Sequence, residues 1–154
     1  MSTITENTAS PAIVHADQAQ VLNAFGVEIA FLLTAESTGG AMTAGFSTVP
    51  PGAGPPPHVH ADEDETFIVV EGRFAFLADG QWTEAGPGAV VHLPRGSVHT
   101  FRNVGDVPGK KWVITTPGGF ERFYAGAAEL CAAPGGPDPA RVVALAAQHG
   151  ITFV

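Results

Sequence analysis

The sequence predicts an all-β protein: a small antiparallel barrel or sandwich followed by one short C-terminal helix. Three observations carry this reading. Short apolar blocks follow one another through the middle of the chain with no helical period between them. Glycine (19) and proline (13) are abundant, which suits many short strands joined by tight turns and disfavours a helix bundle. The 154 residues are 45% hydrophobic, enough for one domain with its own core.

The elements follow in order. Residues 1–11 are polar and read as loose. Residues 12–25 (AIVHADQAQVLNAF) are ambiguous and are assigned to the outside of the barrel. GVEIAFLLTAE from Gly26 and AMTAGFSTV at 41–49 read as strands, separated by the turn Ser37-Thr38-Gly39-Gly40. A proline corner, PPGAGPPP at 50–57, cannot donate to a ladder and leads as a loop into the next strands. TFIVVEG (66–72), RFAFLADG (73–80), GAVVHLP (88–94), SVHTFRNVG (97–105) and GKKWVITTPGG (109–119) complete the series. Near the end, Asp138 is a candidate N-cap, Pro139 the first helical residue, and Val142, Val143, Leu145 and Ala146 an apolar face. One helix over about 139–149 is expected, stopped by Gly150, with Ile151, Phe153 and Val154 as a packing tail. The organisation is an N-terminal segment (1–25), a barrel (26–119) and a C-terminal lid and helix segment (120–154).

Composition excludes several classes. Lys and Arg number 7 against 15 Asp and Glu, a formal net charge of −8, which argues against nucleic acid and anionic membrane surfaces as partners. The single Cys131 excludes an internal disulfide framework and a thiolate zinc site. No apolar run is long enough to span a bilayer, and the N-terminus lacks signal-peptide features, so a reduced, cytoplasmic setting is the expectation.

The chemistry concentrates at His58, His60, Glu65 and His99. Two histidines spaced by two in an extended segment point to one face. Glu65 opens the next apolar strand, and His99 lies far along the chain in SVHTF, where one barrel interior could gather all four. Three imidazoles and a carboxylate suit Fe, Mn, Co, Ni or Zn and are too nitrogen-rich for Mg or Ca. Asp62, Glu63 and Asp64 read as a solvated acidic loop at the barrel mouth, with Glu63 a rival to Glu65 as the carboxylate ligand. His92, His15 and His149 receive no site role.

Two motifs make the sequence recognisable. The first is Gly52, five residues, His58-Val59-His60, four residues, Glu65, six residues, Gly72. The second is Gly88, five residues, Pro94, one residue, Gly96, two residues, His99, three residues, Asn103. This pattern resembles the cupin superfamily, over roughly residues 26–119. The resemblance implies a double-stranded β-helix or jelly roll, one divalent metal on His58, His60, Glu65 and His99, and a homodimer. Asn103 reads as a turn-stabilising side chain. The PPGAGPPPHVH entry, the TPGGFERFY exit and the C-terminal helix resemble the single-domain quercetin 2,3-dioxygenase-like group. That implies oxygenation of a flat enol or phenol at the metal, with O2 as cosubstrate and Glu65 as general base.

Residues in register with the ligands should line an apolar pocket. Phe67 and Val69 share a face with Glu65, and Phe101 with His99. In 41–49 either the Met42, Ala44, Phe46, Thr48 set or its complement faces in, and Phe46 favours the first. Trp112 and Ile114 form a further set, so Phe46, Phe67, Phe101, Trp112 and Ile114 are the candidate substrate-binding residues. Burial and a neighbouring cation push the Glu65 pKa in opposite directions, so an intermediate value is expected. The segment 115–126 is a candidate lid, with exterior packing as the alternative. Two other classes of function compete: an oxygen-independent cyclase, isomerase or lyase, and a non-catalytic small-molecule-binding cupin.

Overall fold

The computed structural model describes residues 9–154, so most of the segment read as loose, residues 1–8, lies outside it. A 3-10 turn at Ala16–Gln18 precedes the strands β1 (Gln20–Ala24), β2 (Val27–Leu33), β3 (Thr43–Val49), β4 (His58–His60), β5 (Asp64–Glu71), β6 (Phe74–Ala78), β7 (Gln81–Ala85), β8 (Val90–Leu93), β9 (His99–Asn103) and β10 (Gly109–Thr116). The helices α1 (Phe120–Ala132) and α2 (Pro139–Gln148) and the strand β11 (Ile151–Phe153) follow. Every pairing is antiparallel, in two sheets ordered β1-β2-β3-β10-β5-β8 and β11-β4-β9-β6-β7. The sheets do not join into a closed barrel; the fold is a jelly roll. No helix of the described residues is long and apolar enough to cross a membrane.

The alternation of burial explains the sheet. Along β10 the residues Gly109, Lys111, Val113 and Thr115 are buried, and along β5 Glu65, Phe67 and Val69 are buried. Residues of one parity therefore face the interior on both strands. Gly72 shows why the hairpin after β5 needs glycine: its φ is +85°, and a Cβ there would lie 2.9 Å from the Gly109 backbone. Asn103 ties the neighbouring turns, donating from Nδ2 to Val49 O and Val107 O (2.9 Å each) and accepting from Gly105 N (2.8 Å). The turn role read for it stands.

Three parts of the chain differ from the sequence reading. The sheet begins before residue 26, because β1 pairs with β2. There are two helices after the strands, not one. In α1, Phe120, Phe123, Tyr124 and Ala127 recur at helical spacing and turn toward the core, and Tyr124 Oη donates to Val27 O (2.6 Å) and Ala24 O (3.1 Å). Gly126 lets α2 pack close, since a Cβ there would meet Leu145 at 3.0 Å. The helix α2 begins as expected, with Asp138 accepting from Ala140 N at 2.9 Å and Pro139 in the first turn. The C-terminal tail forms β11, which pairs with the His58–His60 strand.

The outer face of the six-stranded sheet carries an apolar row: Val21, Ala30, Phe46, Trp112, Ile68 and Val90 are successive partners across all six strands. Phe46 and Trp112 meet edge to face at 5.1 Å between centroids.

Candidate metal centre

His58, His60, Glu65 and His99 do come together. One ligand atom from each lies within 4.8 Å of the others, and all four residues are buried. The topology explains it. β4 places His58 and His60 on one face, β9 sets His99 directly opposite His58, and Glu65 sits on the facing sheet at the start of β5. The turn Pro94-Arg95-Gly96 is pinned beside the site: Arg95 donates from N and Nε to Asp64 Oδ1 (2.9 and 3.0 Å), and Gly96 N bonds His60 O (2.8 Å). Arg95 holds the Asp64 carboxyl at about 2, well below the usual range.

The hydrogen bonds of the imidazoles orient them. His58 Nδ1 donates to Pro56 O (2.8 Å), His99 Nδ1 to Ser97 O (3.0 Å) and His60 Nδ1 to Glu63 Oε1 (2.8 Å). Each neutral ring then presents its Nε2 lone pair to the centre, the arrangement that outer partners impose on metal-binding histidines. Glu65 Oε2 lies 2.9 Å from His99 Nε2 and 3.6 Å from His60 Nε2. Two acceptors do not attract at 2.9 Å; a cation must lie between them, a proton or a metal. Metal bonds of about 2.0–2.2 Å need ligand atoms about 3–4.4 Å apart, so these side chains already sit near such a geometry. The donor set and the orientation fit a divalent transition metal.

Electrostatics differ among the ligands: burial lowers the His60 pKa, but the hydrogen bond to Glu63 and the charges of Glu65 and Glu63 outweigh it and raise it. Burial pushes the His58 pKa down to about 4, keeping the ring in its neutral, ligating form. Burial pushes Glu65 up, but the hydrogen bond with His99 and the imidazoles of the cluster, His60 foremost, outweigh it and hold the carboxyl at about 2.

Glu63 is not a solvated loop residue and not one of the four ligands. It is buried, and its carboxylate lies behind His60. Its position three residues after His60 was the available signal. Glu63→Gln is expected to weaken metal binding about 10–100-fold while leaving the fold intact, because the acceptor that orients His60 loses its charge. An unchanged affinity in a metal-competition titration removes that role.

The ligands open onto a cavity of about 370 Å³. Its walls are Phe67, Phe101, Val113 and Lys111 from the strands and Phe120, Phe123, Tyr124 and Val142 from the helices. Phe67 and Phe101 are therefore where the sequence reading put them, with centroids 5.4 Å apart. Phe46, Trp112 and Ile114 do not line the cavity. They belong to the opposite parity of β3 and β10, whose inward residues include Gly45, Ser47, Lys111 and Val113. The reason is space: a Cβ on Gly45 would stand 2.6 Å from Ile29 Cγ2, so the inward face of β3 has no room for the large side chains. The helices supply the missing aromatic wall. His92 bonds Thr66 on the exposed side (3.0 Å), His15 is exposed, and His149 caps α2 against Phe123.

Known proteins agree with this architecture. The model of the cupin domain matches residues 45–115. Quercetin 2,3-dioxygenase of Bacillus subtilis is 37% identical over 68 residues, which is 44% of this chain and 20% of that protein. An uncharacterised protein of Aquifex aeolicus is 33% identical over 51 residues, 33% of this chain and 42% of that protein, so the matches span less than half of either relative. Among solved structures, a predicted oxalate decarboxylase of Thermotoga maritima superposes with a TM-score of 0.62 at 23% identity, covering 69% of this chain and 99% of that one. The polyketide cyclase RemF of Streptomyces resistomycificus gives 0.59 at 21% identity, covering 70% and 80%. Sequence motifs, jelly-roll topology and the domain match converge: residues 45–115 match the cupin domain, the chain has the fold of the cupin structures it superposes on, and part of it is similar to quercetin 2,3-dioxygenase.

Proposed function

We propose that this protein is a metal-dependent dioxygenase of the quercetinase type, which cleaves a flat enol or phenol with O2. One observation carries the reading: a buried three-histidine, one-glutamate cluster opens directly onto an apolar, aromatic cavity. About 370 Å³ falls in the range of small-molecule sites. The partial match to quercetin 2,3-dioxygenase supports the same choice. The metal would be Fe, Mn, Co, Ni or Zn, and when bound it would supply Lewis acidity at the substrate oxygen and a place for O2.

The rest falls to the chain. Phe67 and Phe101 on one side and Phe120 and Phe123 on the other bound a slot for a planar ring. The apolar walls exclude water from the reacting atoms. Glu65 takes the enol proton. A carboxylate held near 2 is a weak base on its own. A cation held by His58, His60, Glu65 and His99 would acidify the enol hydroxyl and so bring it within reach of this base.

Oxygen uptake tests the reading: Fe-, Mn-, Co- and Ni-loaded protein against a flavonol panel, with His99→Ala as the blank. Uptake that tracks flavonol loss and vanishes in the blank is expected. Substrate loss without oxygen uptake assigns an oxygen-independent cyclase or isomerase instead; binding without loss assigns a binding protein. The homodimer that accompanies this reading would cover the apolar row through Phe46 and Trp112. A single-chain mass in sedimentation at micromolar concentration refutes it.

A further inference from the structure

The cavity holds one group that metal chemistry leaves unexplained. Lys111 is 2% exposed and lines the same cavity as His58, His60 and Glu65. Its Nζ stands 3.9 Å from the Phe67 ring centroid and 3.8 Å from that of Phe101. Phe74 lies behind, at 5.9 Å. Among the described residues the ion pairs of cationic side chains involve Arg73, Arg95, Lys110 and the site histidines; none involves Lys111. It also makes no side-chain hydrogen bond there, although its backbone carbonyl accepts from Ser47 Oγ (3.0 Å).

A buried ammonium on two aromatic faces is stabilised by them only in part. A methionine would fill the same space at less cost, so Lys111 is hard to explain as packing. What Lys111 lacks is an ion-pair partner in contact: the Glu65 charge is felt in the same cavity, but no carboxylate among the described residues pairs with Nζ. We propose that Lys111 is the anion-recognising residue of this cavity. Its Nζ pairs with a carboxylate or enolate oxygen of a flat, apolar ligand whose other end lies toward the metal cluster. The substrate class is then a planar conjugated acid or enolate, not a neutral aromatic. This deepens the proposed function and rests on its reading of the cavity as the ligand site. The electrostatics are compatible: burial draws the Lys111 pKa down to about 7 and the Glu65 charge draws it back up, so a bound anion would restore the cation.

Paired probes test it. Calorimetry compares 2-naphthoate with neutral 2-naphthamide on wild type, Lys111→Met and Lys111→Gln, both with metal and after its removal. Wild type is expected to prefer the anion at least about tenfold, the scale of one charge-assisted contact. Both variants should lose that preference while binding the amide as before. Lys111→Met should melt at or above the wild-type temperature, because a buried charge is gone. Equal preference in the variants, no preference in wild type, or a melting loss of several degrees in Lys111→Met overturns the inference. Failure here with oxygen uptake intact refutes the role of Lys111 alone. Anion preference without oxygen uptake refutes the dioxygenase alone.

Discussion

His99→Ala and His58→Ala are each expected to abolish stable metal binding, and with it any turnover. The affinity loss should exceed the ~10–100-fold that accompanies loss of an outer partner, since a ligand itself is removed. Only two imidazoles and a carboxylate remain, and the geometry makes the loss worse. In His99→Ala the buried Glu65 carboxylate loses its 2.9 Å neighbour and keeps only His60 at 3.6 Å. The backbone of β9 still pairs with β6 through Phe101, so the far-ultraviolet spectrum should be unchanged. Metal content by mass spectrometry after dialysis against a stoichiometric divalent ion is the measurement. A full complement in either variant would remove the cluster as the metal centre.

The ligand set was legible in the sequence for a physical reason. A side-chain period of two and the antiparallel pairing of β4 with β9 turn a linear spacing into a cluster. The strands with clear apolar runs were legible too. β7 was not, because QWTEA is mostly exposed and carries no inward apolar parity. Which parity of β3 and β10 faces inward was also hidden. Both sets hold apolar residues, and the larger ones, Phe46 and Trp112, point outward. The deciding fact is a crowding between Gly45 on β3 and Ile29 on the neighbouring strand β2. Lys111 shows the same limit more sharply. A lysine in a GKKW run reads as surface, and only the register of β10 against β5, with Val113 opposite Phe67, puts its side chain inside. The segment 115–126 reads as a candidate lid or as exterior packing with no helix assigned, although Phe120, Phe123, Tyr124 and Ala127 recur at the helical spacing of α1.

Glu65→Gln separates the two roles given to one side chain. As a ligand, Glu65 contributes one of four donors; the three imidazoles remain, each still oriented by its Nδ1 partner. Metal should therefore bind more weakly than in wild type but measurably. As a base, Glu65 has no substitute within the cluster. Glu63 is committed to His60, and Asp64 to Arg95. Turnover per bound metal should then fall by about 10²–10⁴, the usual contribution of a positioned proton acceptor. Loss of folding does not confuse the result. An amide at this position can donate to His99 Nε2, replacing the acceptor–acceptor contact, so the metal-free variant should melt no lower than wild type. Rate must be divided by metal content for the test to decide. If the rate per metal equals that of wild type, Glu65 is a ligand and nothing more, and the proton acceptor must be sought in the substrate or in water.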